Sequence, residues 1–83
     1  MNLPIPLACL PPRQEAVVVE IAGGCGLVRR LEALGIRPGV RLSVISAFSF
    51  GGPVTVCVGR TEVALGRGMA KRILVEPQGK PQT

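Results

Sequence analysis

Residues 31–39 constrain the fold of this chain most strongly, because they predict a helix that ends at a defined residue and leads directly into a strand. Apolar residues recur at helical spacing as far as Leu34. Gly35 follows where a left-handed residue ends a helix without a Cβ clash, and Ile36 stands where a Schellman motif places a hydrophobic contact with Leu31. The segment therefore predicts a short helix joined tightly to the next element.

Short valine-rich segments with alternating polarity fill most of the remaining chain, and glycine or proline bounds them. The predicted strands cover residues 15–21, 40–47, 54–58, 61–65 and 73–76, with a helix at 26–34 and one helical turn within 66–72. Five short strands are too few for two open layers, whereas a closed or half-closed barrel protects their edges. The sequence therefore predicts a mainly β fold, a small SH3-like β-barrel of about five strands with a short α-helix between strands 1 and 2.

The domain organisation follows from length and composition. With 83 residues the chain has room for one domain, which we predict to span residues 1–76. Residues 77–83 lack apolar side chains and are predicted to form a disordered tail. The first residues lack the basic region of a signal peptide, and no apolar run approaches the ~18 residues of a membrane span. We therefore expect no direct membrane insertion.

The net charge of +5 points to an acidic partner or a nucleic-acid-binding face. Single-stranded nucleic acids are usually bound by stacking on several aromatic side chains. The chain has two, Phe48 and Phe50, both in one glycine-rich loop. This scarcity argues against nucleic acid and favours a protein partner.

Catalytic and metal-ligating residue types are scarce. The chain contains no His, Asp or Tyr that could act as a general base or acid, so we predict that it is not an enzyme. Cys25 and Cys57 could act as soft transition-metal ligands, but a site needs three or four converging ligands and no Cys-x-x-Cys pair is present. We therefore predict no resident cofactor and treat a transition-metal site as a weakly supported alternative.

The order of these features resembles the FeoA family, the small ferrous iron transport protein A, and the FeoA-like barrel at the end of some metal-dependent repressors. The resemblance runs from about Leu7 to Glu76 and rests on Leu31-Glu32-Ala33-Leu34-Gly35-Ile36-Arg37-Pro38-Gly39, Gly51-Gly52-Pro53-Val54, Val63-Ala64-Leu65-Gly66, Ala70, Ile73 and Val75. It implies an SH3-like fold, a cytoplasmic location and a role as accessory or regulator of ferrous iron uptake. It also implies a partner, the cytosolic GTP-binding domain of a FeoB-type membrane ferrous iron transporter.

Two groups of residues are candidates for the contact with a partner. Arg29, Arg30 and Arg37 surround the helix and its exit and suit an acidic protein surface; Arg41 lies close by in sequence. The alternative is a solvated helix face in which Arg29 pairs with Glu32 three residues on.

Phe48 and Phe50 form the second group, because one of them could cap the barrel while the other is an exposed anchor. The alternative is that both pack on the barrel end. The alternative function of the whole chain is that of a generic SH3-like adaptor or a nucleic-acid-binding small barrel.

Overall fold

The computed structural model describes residues 3–47 and 52–79. Its elements in chain order are β1 (Ile5–Pro6), a 3-10 turn (Leu7–Cys9), β2 (Glu15–Ile21), α1 (Cys25–Ala33), β3 (Arg41–Ala47), β4 (Val54–Val58), β5 (Thr61–Leu65), α2 (Arg67–Ala70) and β6 (Ile73–Gln78). Within the described ranges the strands form one antiparallel sheet of six, in the order β1-β6-β2-β3-β4-β5. The predicted mainly β fold, with a helix between the first two long strands, is confirmed.

The two ends of the sheet are brought together by the short elements that follow its edge strands. The 3-10 turn follows β1, α2 follows β5, and the two contact each other. The sheet therefore curves around a single core. Strands β2 to β6, both helices and the 3-10 turn all contribute buried residues to it. The buried apolar side chains are Leu7, Leu10, Ala16, Val18, Leu31, Ile36, Leu42, Val44, Val54, Val56, Val63, Leu65, Ala70, Ile73 and Val75.

The sequence predicts an irregular extended lead-in over residues 1–6, but two of these residues form the additional strand, β1. Ile5 pairs with Val75 and Pro6 with Leu74 of β6. Proline is tolerated here because β1 is an edge strand, where a missing N–H removes no inner ladder bond.

A bulge in β2 changes which residues face the core. Ala16 and Val18 are buried, but the pairing with β6 shifts between Val18 and Glu20, and Val19 is 40% exposed. Because one extra residue reverses the alternation, Ile21 packs against the core three positions after Val18. Strict alternation over residues 15–21 predicts Val17, Val19 and Ile21 on one face and Ala16, Val18 and Glu20 on the other. The bulge makes this prediction wrong for Ile21, which lies on the same face as Val18.

The exit from α1 confirms the predicted capping motif. The Ile36 N–H donates to the Leu31 carbonyl at 2.9 Å and the Gly35 N–H to the Glu32 carbonyl at 2.9 Å, the two bonds of a Schellman motif. Leu31 and Ile36 are fully buried, whereas Leu34 is 39% exposed. Leu34 therefore marks the end of the helix but does not belong to its buried face.

Gly35→Ala is expected to destabilise the protein by about 1 kcal/mol, because residue 35 has φ +88° and an L side chain is strained there. Space is not the cause, since an added Cβ would lie 3.6 Å from Val58 Cγ1. The matched control is Gly26→Ala inside α1, where an added Cβ meets nothing within 4 Å. This change should stabilise by a few tenths to about 1 kcal/mol. Urea denaturation would measure the free energy of unfolding of both variants. If the two substitutions changed it in the same direction, the left-handed conformation assigned to residue 35 would be contradicted.

The last strand extends beyond its predicted end. The strand predicted to end at residue 76 continues to Gln78, because Pro77 pairs with Ala16 and Gln78 with Glu15. Pro77 is tolerated in β6 because β1 pairs with this strand only as far as Val75. Beyond Val75 the edge of β6 that faces β1 has no partner strand among the described residues, so the missing N–H breaks no ladder bond there. Residues 80–83, the rest of the predicted tail, lie outside the described residues. No helix within the described ranges is long and apolar enough to span a membrane.

Candidate partner-binding surface

Helix α1 presents two of the predicted contact residues to solvent. Leu31 is buried and Leu27 packs partly against the core, so this side of the nine-residue helix faces the sheet. Arg29 and Arg30 lie between these two positions and are exposed. Among the described residues no ion pair joins Arg29 to Glu32. The two guanidinium groups thus lie on the outer side of a helix that its leucines hold in place.

The turn after α1 positions Arg37 and Arg41. The Val40 N–H donates to the Arg37 carbonyl at 3.1 Å, and Gly39 has φ +93°, as the third residue of a type II turn requires. Arg37 and Arg41 are both exposed, and Arg41 opens β3 opposite Val17. One continuous stretch of chain, residues 29–41, therefore supplies all four arginines, from α1, the turn and the first residue of β3. The two predicted aromatic contacts, Phe48 and Phe50, lie outside the described residues.

The three cysteines stand on separate elements. Cys9 ends the 3-10 turn, Cys25 begins α1 and Cys57 lies in β4. The Cys57 thiol donates to the Gly59 carbonyl at 3.4 Å, and Cys9 and Cys25 are exposed. Across residues 3–47 and 52–79, no three Cys, Glu, Asp or His side chains come together in a way that could hold a metal ion.

Two adjoining depressions lie over β2, β3 and β4 and were not predicted from the sequence. One, of about 590 Å³, is lined by Arg13, Glu15, Ser43 and neighbouring β3 residues; the other, of about 310 Å³, shares Glu15 and Ser43 and adds Arg41 and Cys57. Arg13 has φ +70° although it is not a glycine, and its N–H donates to the Val44 carbonyl at 2.7 Å. No local sequence signal announces this conformation, which the bond to β3 holds in place.

A third depression, of about 330 Å³, lies beside α2 and is here called the α2 groove. Its walls are residues 8–12, Ala47 and Arg67. The sequence indicated a helical turn with basic residues here but no cavity, because the walls come from three segments that are distant along the chain. The α2 groove and the α1 arginines are separate features of the surface.

Comparison with known proteins gives matches along nearly the whole chain. A model of the FeoA domain matches residues 5–77. A protein of Methanocaldococcus jannaschii, provisionally named Fe(2+) transport protein A, is 39% identical over 71 residues, which make up 86% of this chain and 84% of that relative. The match thus covers nearly all of both proteins.

Solved structures show the same architecture. The crystal structure of an iron uptake regulatory protein (FeoA) superposes with a TM-score of 0.86 at 30% identity, covering 92% of this chain and all of that one. A manganese-dependent transcriptional repressor gives a TM-score of 0.85 at 23% identity, but the superposition covers 43% of the repressor and shows the fold alone. The predicted SH3-like barrel is confirmed, with six strands in the described residues where about five were predicted.

Proposed function

Because the chain belongs to the FeoA family, we propose that it is a small accessory protein of ferrous iron uptake that binds the cytosolic GTP-binding domain of a FeoB-type transporter. The observation that carries this proposal is the 39% identity, over 86% of the chain, to a protein named for Fe(2+) transport. Binding to the cytosolic side of a transporter requires a cytoplasmic protein, and this location is part of the proposal. The protein acts by binding and not by catalysis.

The contact surface that we propose is the basic side of α1 and the turn that follows it. Arg29, Arg30 and Arg37 are exposed, and the helix and the Schellman motif fix the backbone that carries them. Arginine forms bidentate hydrogen bonds with carboxylates, and complementary charge raises the rate of encounter between proteins. A carboxylate-rich surface on the transporter domain would be complementary in charge to these arginines.

The test is charge reversal at the two helix positions. Arg29→Glu/Arg30→Glu should weaken binding to the purified transporter domain on the order of tenfold, because two attractive contacts become repulsive. Titration calorimetry with the domain loaded with GTP, with GDP and without nucleotide would measure the dissociation constants. Raised salt should weaken the unmodified complex more than the variant complex.

Single variants provide a matched control. Arg30→Glu and Arg60→Glu change the net charge equally, but Arg60 is exposed on the turn between β4 and β5. If only Arg30→Glu loses affinity for the transporter domain, the result supports the α1 surface. If Arg30→Glu and Arg60→Glu lose affinity equally, the effect comes from the net charge of the protein and not from the α1 surface. If the unmodified chain bound the domain in no nucleotide state, the proposed function itself would be wrong.

A further inference from the structure

Leu34 is exposed at the end of α1, and the backbone fixes its position. Ile36, and not Leu34, joins Leu31 in the core, because the Ile36 N–H is bonded to the Leu31 carbonyl. Leu34 keeps helical dihedral angles, φ −91° and ψ 0°, in the last turn before Gly35. It is therefore held 39% exposed by the native backbone, and a partner would meet it without a costly change of conformation.

The side of α1 that carries Leu34 is basic. Successive residues of a helix are turned by about 100° around its axis, so Leu34 lies about 40° from Arg30 and about 160° from Glu32. Arg30 and Leu34 are four residues apart, the spacing at which side chains on a helix are neighbours. Arg37 follows three residues after Leu34 and is exposed. Leu34 is thus an apolar side chain beside Arg30, with Glu32 on the far side of the helix.

A second exposed apolar side chain, Val19, lies at the other end of the turn that carries Arg37. The Gly39 N–H donates to the Val18 carbonyl at 2.8 Å, and the Val18 N–H donates to the Val40 carbonyl at 2.9 Å. These two bonds fasten the turn to β2 directly beside the bulge, where Val19 is exposed. The turn and this part of β2 therefore form one rigid unit.

Leu34 and Val19 are close enough to belong to one interface. Five residue steps separate Leu34 from Gly39, and even an extended chain spans at most about 18 Å in five steps. A standard protein–protein interface covers about 800 Å² of each partner, which is roughly 30 Å across. Among the described residues four large apolar side chains are exposed, and two of them, Val19 and Leu34, flank this basic turn; the others are Leu3 and Ile45.

We propose that Leu34 and Val19 are the apolar anchors of the α1 surface, and that the transporter domain receives them in apolar recesses bordered by carboxylates. The carboxylates follow from the arginines that flank both side chains. This inference rests on the proposed function and gives the two kinds of residue different roles. Arg29, Arg30 and Arg37 attract the partner at long range and speed the encounter. Leu34 and Val19 are buried in the complex and slow its dissociation.

The test compares Leu34→Ala with Ile45→Ala. Both residues are 39% exposed, but Ile45 lies four residues along β3 from Arg41 and lines a depression with Arg13. Surface plasmon resonance with the immobilised transporter domain, in the nucleotide state that binds most tightly, would give the rate constants at two salt concentrations. Leu34→Ala should raise the dissociation rate constant about tenfold and leave the association rate constant within about twofold. Ile45→Ala should change neither rate constant.

Further variants separate apolar contact from charge. Leu34→Met keeps an apolar side chain of similar volume and should retain most of the affinity. Val19→Thr keeps the branched shape that suits a strand but adds a hydroxyl group, so it should raise the dissociation rate constant about threefold. Arg29→Glu/Arg30→Glu should instead lower the association rate constant, and raised salt should reduce this effect. Since Leu34 and Val19 are exposed, these variants should keep the circular dichroism spectrum of the unmodified chain.

Three outcomes would overturn the assignment of anchors and leave the proposed function standing, because the unmodified chain would still bind. They are equal dissociation rate constants for Leu34→Ala and Ile45→Ala, a loss of affinity in Leu34→Ala that lies entirely in the association rate constant, and a Leu34→Met variant that dissociates as fast as Leu34→Ala. If the unmodified chain bound the domain in no nucleotide state, the proposed function and the assignment of anchors would both be wrong.

Discussion

Leu31→Ala is expected to lower the free energy of unfolding by about 2–5 kcal/mol, the usual cost of truncating a buried leucine. Leu31 is fully buried and is the residue by which α1 is fixed to the core, next to the partly buried Leu27. Its carbonyl also accepts the Ile36 N–H that ends the helix, at 2.9 Å. Small domains have a total stability of about 5–15 kcal/mol, so the loss would be a large fraction of it. Urea denaturation followed by circular dichroism would measure it.

Leu34→Ala is the matched control, since it removes the same atoms from the same short segment. Leu34 is 39% exposed, so its truncation should cost less than about 1 kcal/mol. The sequence places both leucines on one apolar face, and the structure separates them. Similar losses at the two positions would mean that the helix packs against the sheet in a different orientation.

Much of the fold could be predicted because local rules determine it. The predicted strands 15–21, 54–58 and 61–65 agree with the observed bounds of β2, β4 and β5. Each is a short segment rich in valine and other apolar residues, and such signals need no knowledge of distant residues. The Schellman motif at Gly35 is of the same kind, because its residues are consecutive.

The misses share a physical cause, which is dependence on a partner strand. Pro6 belongs to a strand only because Leu74 lies beside it, and Pro77 only because Ala16 does. The bulge after Val18 likewise exists only in the pairing with β6, so alternation along β2 alone assigns Ile21 to the wrong face. Long-range pairing has no signal within a window of ten residues.

The candidate surfaces divide in the same way. Arg29, Arg30 and Arg37 could be selected from the sequence because one helix and one turn carry them. The α2 groove could not, since it exists only where the 3-10 turn, the end of β3 and the start of α2 meet.

Ending the chain after Glu76 is expected to destabilise the barrel by at least about 1–3 kcal/mol, because it removes two hydrogen bonds of the Gln14 amide and each contributes about 0.5–1.5 kcal/mol. Gln14 is 4% exposed, and its Nε2 donates to the Gln78 carbonyl at 3.2 Å and the Gly79 carbonyl at 3.1 Å. The truncation removes both acceptors and leaves the bond to the Glu15 carbonyl at 2.9 Å. It also removes the pairing of Pro77 and Gln78 with β2. Urea denaturation and hydrogen exchange of the β2 amides would measure the loss.

A chain ended after Gly79 is the matched control, because it retains every acceptor of the Gln14 amide that the structure describes. Gln14→Leu in the full chain tests the same contact from the other side, since it keeps the side-chain volume and removes the donor. It should reproduce most of the loss caused by ending the chain after Glu76. If that truncated chain were as stable as the one ended after Gly79, the domain would end at residue 76, and the last two residues of β6 would contribute nothing to the barrel.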